Sequence, residues 1–415
     1  MSRDKPRVVF WNNIPSPYVV ERFNLLAERG NIDIEVWFNE VREPDRSWDV
    51  DETCWKFRAR YISPRLVFGK RLYLPLSEIY ATQPDVLVCL YYEASFALGS
   101  LASRCLASRT VYSVMPTYDA WSKRTWWREL SKHILFRSVD GAQITGPEAV
   151  NLTRKYGLPE SRAYFVTQSI NVANYRRAQE IAPEVRKKTR EQMGLTGCVF
   201  LYVGRLWAGK GLDYLFEAYK EIRLEKDDVS LLLVGDGVDE SRYREIAREL
   251  PGVVFAGFVQ ADKMAEYYAL GDVLVFPTLG DPYGHVVREA MAAGLPVIST
   301  ESAGEIRERI SDGYDGFIVP PADSHSLKDK MLMLAEDSAL RKRIIENSAR
   351  RVTAIGHEDF ARDFEALANS ALSAPPRRSM VSYMARGVGG CLLLAGNALG
   401  RSPARYVKKG TVDES

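Results

Sequence analysis

The segment that most constrains the fold spans residues 273–300, VLVFPTLGDPYGHVVREAMAAGLPVIST. An apolar run of strand length is followed by turn-forming residues at 279–284, by helical spacing over 285–293 and by a second strand pattern over 296–299. A strand, a loop, a helix and a strand in this order predict one unit of a parallel sheet. In such sheets ligands bind beyond the carboxyl ends of the strands.

Two acids and the start of a helix occur together in this segment. Asp281 lies in the loop after the first strand and Glu289 lies early in the helix, so we expect both carboxylates to face one crevice. The free N–H groups of a first helical turn favour an anion such as a diphosphate. Here they belong to Gly284, His285, Val286 and Val287. Carboxylates for sugar hydroxyls beside amides for phosphate predict a nucleotide-sugar site.

The stretch Asp281-Pro-Tyr-Gly-x4-Glu289-Ala-Met-Ala-Ala-Gly-Leu-Pro-Val-Ile resembles the E-x7-E signature of the family 4 retaining glycosyltransferases, which have the two-domain GT-B fold. In that family the first acid faces the hydroxyls of the donor sugar and the second holds the ribose. The resemblance implies these roles for Asp281 and Glu289. The first acid is Asp here instead of Glu, which implies a shifted loop or a different donor sugar.

A second cluster, VGRLWAGKG at 203–211, follows the predicted strand 198–203. It places two cations and several amides at the carboxyl edge of the sheet, where guanidinium and ammonium groups bind phosphate well. The resemblance implies that Gly204, Arg205 and Lys210 hold the donor diphosphate and that the two cations neutralise the leaving group. A solvated basic loop is the alternative interpretation. The G-x4-G-K-[ST] spacing is missing, which argues against a P-loop.

Two further loops are assigned to the donor side. Asp236, between two glycines after a strand, is predicted to lie in a turn that lines the cleft. The resemblance implies that the loop with Phe258 and Val259 borders the nucleobase through its backbone. Core packing is an alternative role for Phe258.

The acceptor side is less well marked. The loop with Ser16 and Tyr18 resembles one that many family members place at the domain interface, and turn or core packing explains it equally well. Tyr118 and Asp119 follow another predicted strand, and together with Lys123 and Arg124 they are candidates for binding an acidic acceptor. His133 shares one face of a predicted helix with tryptophans, where a packed structural histidine is expected.

Strand and helix patterns alternate through both halves of the chain, and a length of 415 residues fits two domains. We therefore expect an α/β protein of the GT-B type, with two doubly wound Rossmann-like domains and a cleft between them. The predicted domains are an acceptor-side domain at 1–172 and a nucleotide-sugar-binding domain at 173–355. By resemblance, 356–374 is a helix that crosses back to the first domain.

The folded part is predicted to end at 374–378, leaving 375–415 as a tail. From Arg377 onward the chain has seven basic and two acidic residues, a local charge of +5. Such a tail suits peripheral association with an anionic membrane surface, and a partly disordered tail is the alternative.

Composition excludes several classes of protein. With 56 basic and 54 acidic residues the net charge is +2, so nucleic acid is not an expected partner. Five scattered cysteines without a C-x-x-C pair indicate reduced thiols. The N-terminus lacks a signal-peptide pattern and no apolar run approaches the ~20 residues of a membrane span. We expect a cytoplasmic protein, which the tail would bring to the inner face of the plasma membrane.

Neither a metal nor a cofactor is expected. The four histidines do not have metal-ligand spacing. Asp49-Val-Asp51 is a D-x-D, the metal motif of the other large glycosyltransferase fold, but so short a motif arises often by chance in an acidic loop.

The resemblance implies a retaining, metal-independent glycosyltransferase. It would move a hexosyl or related sugar from a nucleoside-diphosphate sugar to a hydroxyl of a glycan or lipid-linked acceptor, as in cell-surface polysaccharide biosynthesis. Two alternatives stay open: a non-catalytic nucleotide-sugar-binding partner in a polysaccharide-assembly complex, and a nucleotide-sugar epimerase of GT-B fold.

Overall fold

The protein is described from a computed structural model that covers residues 4–42, 48–67, 70–90, 94–104, 109–115, 125–353 and 356–377, with 387 and 405–407. The chain forms two compact units. One contains the described residues up to Ser169 and those from His357 onward, and the other runs from Ile170 to Gly356. The domain boundaries predicted from the sequence lie close to these junctions and remain predictions.

The first unit begins with alternating strands and helices. Its strands are β1 (Arg7–Asn12), β2 (Asp33–Phe38), β3 (Arg58–Tyr61), β4 (Pro64–Val67), β5 (Lys70–Tyr73), β6 (Val86–Leu90), β7 (Arg109–Ser113), β8 (Gly141–Ile144) and β9 (Ala163–Phe165). Its helices are α1 (Pro17–Arg29), α2 (Leu76–Thr82), α3 (Ala94–Ser103), α4 (Trp126–Ser138) and α5 (Pro147–Lys155). Helix α1 has proline in its first turn and ends at Gly30, which adopts the left-handed conformation of a C-cap.

The second unit repeats the alternation. Its helices are α6 (Val172–Arg176), α7 (Pro183–Met193), α8 (Leu212–Glu225), α9 (Glu240–Ala247), α10 (Met264–Leu270), α11 (His285–Ala292), α12 (Ser324–Glu336) and α13 (Ser338–Thr353). Its strands are β10 (Cys198–Val203), β11 (Val229–Val234), β12 (Val253–Gly257), β13 (Val273–Phe276), β14 (Val297–Thr300) and β15 (Phe317–Val319). Short 3₁₀ helices in the two units lie at Glu52–Cys54, Glu160–Arg162, Arg177–Glu180, Ala208–Lys210, Ala261–Lys263 and Ile306–Glu308.

The chain then adds two elements to the first unit, α14 (His357–Ser373) and β16 (Arg405–Val407). Helix α14 buries Phe360 and Phe364 against Phe23 of α1, with ring centroids 5.7 and 5.5 Å apart. Strand β16 pairs antiparallel with β3 at the edge of the sheet.

Each unit is built on a sheet with helices around it. The first sheet has the order β16-β3-β2-β1-β6-β7-β8-β9, and β4 and β5 form a separate hairpin. The second has the order β12-β11-β10-β13-β14-β15, with all neighbours parallel. Its first strand, β10, is buried along its whole length, as expected for a parallel strand covered on both faces.

The second sheet reverses its direction of growth between β10 and β13. The chain moves outward from β10 through β11 to β12, then returns to place β13 on the other side of β10. This is the doubly wound strand order, and the crevice at such a switch point is where ligands bind. The predicted α/β architecture of two Rossmann-like domains is therefore confirmed.

Several local predictions were wrong. The sequence analysis missed the hairpin of β4 and β5 and the helix α7. Strand β16 lies beyond 374–378, so the predicted end of the folded part was placed too early. Three cysteines within the described residues, Cys54, Cys89 and Cys198, are free thiols, as predicted for them.

Candidate functional site

The candidate site is formed where β10 and β13 end. These neighbouring parallel strands pair Phe200 with Val273 and Leu201 with Leu274, so the turns that follow them emerge at the same edge of the sheet. The two turns are also joined through their backbones, because the N–H of Leu279 donates to the carbonyl of Gly209 at 3.1 Å. The structure thus brings the two clusters predicted from the sequence next to each other.

An ion pair joins the two turns. Lys210, only 7% exposed, ends the 3₁₀ turn after β10, and its Nζ lies 2.5 Å from Oδ2 of Asp281. Gly211 allows this close approach: it has a φ of +71°, and a Cβ atom there would lie 1.9 Å from the carbonyl oxygen of Pro277. The pair holds Lys210, one of the two predicted cations, against the loop that contains Asp281, the first predicted acid.

Asp281 also organises its own loop. Its Oδ1 accepts the N–H of Tyr283 at 2.9 Å and the N–H of Gly284. Burial alone would raise the pKa of this carboxyl, but the Lys210 ammonium and the two backbone donors outweigh it and hold the pKa below its usual value. Asp281 is therefore a carboxylate at neutral pH.

These contacts correct the expected state of the helix start. The N–H of Gly284 is taken by Asp281, and the N–H of Val287 donates to the carbonyl of Gly284 at 3.1 Å. Two of the four amides predicted to be free are therefore engaged. The side chain of Asp281 folds back onto the amide of Gly284, and the carbonyl of Gly284 takes that of Val287. His285 and Val286 occupy the first two positions of the helix.

Glu289 lies in the interior of the second unit. It is 2% exposed, and its Oε2 accepts the hydroxyl of Tyr268 on α10 at 2.7 Å. Asp281 and Glu289 thus each have a partner, Lys210 and Tyr268, and the crevice predicted to be shared by the two acids stays a prediction. Glu289 faces the inside of the unit because α11 turns this side toward α10.

The other cation, Arg205, comes directly after Gly204, the first residue beyond β10. Its guanidinium lies over the ring of Trp207, 5.4 Å from the centroid, and its carbonyl accepts the hydroxyl of Tyr202 at 2.7 Å. The turn after β10 contacts the loop with Asp236: the N–H of Leu206 donates to the carbonyl of Asp236 at 2.7 Å, and a Cβ at Gly235 would lie 2.0 Å from the carbonyl oxygen of Gly204.

Phe258 and Val259 follow β12, two strands away from β10, and are half-buried at the same edge of the sheet. The loops after β11 and β12 are linked, because the N–H of Gly235 donates to the carbonyl of Gly257 at 2.8 Å. All the residues predicted for the donor side thus belong to one unit and follow neighbouring strands.

A buried arginine that the sequence analysis missed supports the loop with Asp281. Arg309, 1% exposed, donates to the carbonyls of Gly284 at 2.8 Å and Gly304 at 2.6 Å. Its guanidinium stacks 4.4 Å from the ring centroid of Tyr283. Burial lowers the pKa of Arg309 to about 10, so the group stays cationic at neutral pH. No motif marks it, because its role depends on a contact between distant loops.

Two of the acceptor-side candidates, Ser16 and Tyr18, lie in the first unit. Ser16 precedes α1, and its carbonyl accepts the N–H groups of Val19 and Val20 without a cap from its side chain. Tyr18 is half-buried in the first turn of α1. Tyr118 and Asp119 lie outside the described residues. The turn interpretation of this loop explains Ser16 without a ligand.

The D-x-D of the acidic loop has a structural role for one of its acids. Asp51 caps the 3₁₀ helix Glu52–Cys54, since its Oδ1 accepts the N–H of Thr53 at 2.9 Å. In the ranges covered by the structure, no group of three or more His, Cys, Asp and Glu side chains is arranged to hold a metal ion. None of the helices described has the length and apolar character needed to cross a bilayer.

Comparison with known proteins agrees with this geometry. The two-sheet architecture is that of the GT-B fold. It is shared by an Anabaena protein, Alr3699/HepE, solved in complex with UDP: the TM-score is 0.71 at 16% identity, over 88% of this chain and 100% of that one. The complex of the same Anabaena protein with UDP-glucose gives a TM-score of 0.69 at 16% identity, over 88% of this chain and 100% of that one.

The second unit can be placed more narrowly. Residues 197–337, which lie within this unit, match the family described as Glycosyl transferases group 1. The chain is 28% identical over 231 residues to an alpha-D-kanosaminyltransferase of Streptomyces kanamyceticus, covering 54% of this chain and 57% of that protein. It is 30% identical over 215 residues to a phosphatidyl-myo-inositol mannosyltransferase of Mycobacterium leprae, covering 51% and 55%. The chain thus spans about half the length of these relatives.

Proposed function

We propose that the protein is a retaining glycosyltransferase that uses a nucleoside-diphosphate sugar as donor. The observation that carries the proposal is the ion pair of Lys210 and Asp281 at the switch point of the second sheet, beside Arg205 and the start of α11. The Glycosyl transferases group 1 domain over 197–337 supports it. The UDP and UDP-glucose bound by the Anabaena protein of the same fold suggest the kind of donor.

The donor diphosphate is proposed to lie between the turn of Lys210 and the first turn of α11. The ammonium of Lys210 has three N–H donors, and one of them contacts Asp281. Lys210 can therefore keep this contact and still donate to phosphate. Arg205 adds a guanidinium at the same edge. The N–H of Val286, in the first turn of α11, completes an anion site whose charge is favoured by the helix dipole.

In the proposed reaction, the bond between the anomeric carbon and the diphosphate oxygen breaks as the acceptor hydroxyl approaches from the same face. The new glycosidic bond forms to the acceptor oxygen, whose proton passes to the departing diphosphate. Arg205 and Lys210 stabilise the negative charge that grows on the leaving group, and preorganised charges of this kind supply much of the rate of an enzyme. Such a scheme needs no nucleophile from the protein.

The role proposed for Asp281 differs from that implied by the resemblance. Its carboxylate positions Lys210 and holds the turn 281–284 closed, because both of its oxygens are engaged in those contacts. Contact with sugar hydroxyls would use the remaining lone pairs. Glu289 is proposed to bind the ribose from the interior side, with Tyr268 orienting its carboxylate. The other donor-side residues of the proposal are Gly204, Asp236, Phe258, Val259, Gly284, His285 and Val287.

The remaining parts of the proposal concern conditions and partners. Transfer is proposed to require no metal and no cofactor, and to act on a glycan or lipid-linked acceptor in cell-surface polysaccharide biosynthesis. The protein is proposed to be cytoplasmic and to reach the inner face of the plasma membrane through its basic tail. Ser16, Tyr18, Tyr118 and Asp119 are the proposed acceptor-side residues.

The function is tested by incubating the protein with a panel of nucleoside-diphosphate sugars, with EDTA present, and measuring release of nucleoside diphosphate. Slow release without an acceptor, followed by NMR assignment of an axial or equatorial product that matches the donor anomer, supports retaining transfer. Saturable binding of donors without release of nucleoside diphosphate from any of them would instead favour a non-catalytic binding partner. Conversion of the donor into its epimer would favour an epimerase.

A further inference from the structure

A depression of about 640 Å³ lies in the second unit, at the edge of the sheet opposite to the candidate donor site. Its lining includes Gly197, Asp272 and Leu295, which lie directly before or near the starts of β10, β13 and β14. Because these strands are parallel, this is the amino edge of the sheet. Strand β10 separates the two edges by roughly 20 Å. We call this depression the amino-edge pocket.

The wall of the amino-edge pocket is basic. Arg186, Lys187 and Arg190 come from α7 and Arg341 comes from α13, whereas the acids in the lining are Glu191 and Asp272. Four basic and two acidic residues leave a net charge of +2. An excess of guanidinium groups around a concave surface favours an anion.

Asp272, which pairs with two of these arginines, does not cancel this charge. The carboxylate of Asp272 accepts from Arg186 at 2.6 Å and from Arg190 at 2.9 Å, so one negative charge faces two positive ones. It also accepts the N–H of Val199 at 2.8 Å. One positive charge of this cluster is therefore left over.

Of the other two cations, Arg341 adds to the excess and Lys187 is matched by Glu191. Arg341 donates through Nη1 to the carbonyls of Leu334 and Ala335, which carry no net charge. Lys187 is 80% exposed on its side chain and lies 3.9 Å from Glu191, an exposed pair of little energetic value. Both side chains can turn to a ligand without breaking a buried ion pair.

The lining of the amino-edge pocket also includes apolar side chains. They are Leu195, Ala269, Leu295 and Ile345. Small-molecule sites combine such apolar side chains with a few convergent polar groups. Guanidinium groups bind phosphate through two parallel N–H···O bonds, which selects phosphate over a simple halide ion.

We propose that the amino-edge pocket binds a phosphate monoester that carries an apolar or aromatic group. Arg186 and Arg341 contact the phosphate, Lys187 adds charge at the rim, and the apolar group lies on Leu295 and Ile345. This site is separate from the donor site and does not depend on the function proposed above. A soluble nucleotide and a lipid phosphate share this chemistry.

The test uses the full chain and calorimetric titration with three probes: inorganic phosphate, adenosine monophosphate and dihexanoyl phosphatidic acid. We expect saturable binding of at least one organic phosphate more tightly than of inorganic phosphate. Tighter binding of adenosine monophosphate indicates a soluble ligand, and tighter binding of the phosphatidic acid indicates a lipid phosphate. No saturable binding of any probe would overturn the proposal.

Two variants and a control locate the site. Lys187→Glu/Arg341→Gln is expected to weaken the bound probe at least about tenfold, since it removes two charge-assisted contacts. Lys187→Glu alone, at an exposed position that does not endanger folding, is expected to weaken it about threefold. Lys220→Glu, on the exposed face of α8, makes the same charge change elsewhere in the unit and is expected to leave the affinity unchanged. Equal affinity in all three variants would contradict the assignment.

Discussion

The ammonium of Lys210 lies 2.5 Å from Oδ2 of Asp281, so an ion pair closes the switch point between β10 and β13. The same carboxylate holds the start of α11 through the N–H of Gly284. One side chain thus fixes both the cation and the helix start between which the diphosphate is proposed to lie. The pair makes the geometry of this anion site independent of any ligand.

Removing the Lys210 cation should mainly affect catalysis. We expect Lys210→Ala to lower turnover of a nucleoside-diphosphate sugar by roughly 10²–10³, by analogy with the loss of one donor from an oxyanion site. Arg205→Ala should have an effect of the same order. Release of nucleoside diphosphate under donor saturation measures both. Lys220→Ala is the matched control, and turnover equal to that of this control in either variant would remove its residue from the mechanism.

Neutralising Asp281 should affect stability. Asp281→Asn leaves the Lys210 ammonium buried without its carboxylate, which is expected to lower the free energy of unfolding by about 3 kcal/mol at pH 7. Urea denaturation measures this loss. Asp227→Asn, whose side chain is 98% exposed, serves as the control.

The same variant should alter the dependence of stability on pH. The pKa of Asp281 is lower in the folded chain than in the unfolded one, so its contribution is complete above the unfolded value of about 3.9 and is lost as the pH falls through the folded value. The difference between wild type and Asp281→Asn should therefore stay level from pH 7 to about 4 and shrink as the pH is lowered further, from about 4 to about 2. A difference that stays constant over this range would show that the ion pair is not its cause.

Arg309 is expected to position the site without contacting the donor. Arg309→Lys keeps the charge but cannot reach the carbonyls of Gly284 and Gly304 together, so stability should fall by about 2 kcal/mol. The ratio kcat/KM for the donor should fall roughly tenfold, because a misplaced anion site loses rate steeply. Arg307→Lys, on an exposed neighbour, is the control. An unchanged ratio in the Arg309 variant would limit this residue to a role in folding.

Substitutions of Glu289 and Tyr268 distinguish a role of Glu289 in donor binding from a role in packing alone. Glu289→Gln keeps the size of the side chain and loses its charge, so the dissociation constant of UDP should rise about tenfold if the carboxylate holds the ribose. Tyr268→Phe only frees the carboxylate from one hydrogen bond, and its effect should be smaller. Calorimetric titration with UDP measures both. Unaltered affinity in Glu289→Gln would assign this acid to the core alone.

The basic tail should bring the chain to anionic membranes. Truncation after Arg377 removes six basic and two acidic residues, a net charge of +4. Each basic residue near an anionic surface contributes about 1 kcal/mol, so sedimentation with vesicles containing phosphatidylglycerol should fall strongly in the truncated chain. Vesicles of phosphatidylcholine alone are the control. Equal sedimentation of the full and truncated chains would reject this role for the tail.

The order of strands and helices could be predicted because buried parallel strands are continuous apolar runs. Strands β10 and β13 were predicted with their observed bounds, since residues on both faces of these strands are covered by helices. Helix α7 was missed because it lies on the surface: it has no buried residue and therefore no apolar stripe. The hairpin of β4 and β5 was missed because its strands pair antiparallel, so no crossover helix between them marks the pair in the sequence.

The positions of the site residues could be predicted, but their partners could not. Glycine and charged residues after β10 and β13 marked the two turns from local sequence alone. The pairing of Lys210 with Asp281 joins positions 71 residues apart. The contacts of Arg309 with Gly284 and of Glu289 with Tyr268 likewise depend on packing between separate elements. Contacts between distant elements produce no periodic pattern in a single sequence, so these partners could not be predicted.

The most direct test of the account is a crystal structure of the protein with a bound nucleoside diphosphate. We predict that the β-phosphate lies within hydrogen-bonding distance of Lys210 Nζ and of the N–H of Val286, with Arg205 on the other side and the Lys210–Asp281 pair intact. A diphosphate bound away from these groups, or one that reaches Lys210 only after Asp281 has left it, would contradict the proposed site.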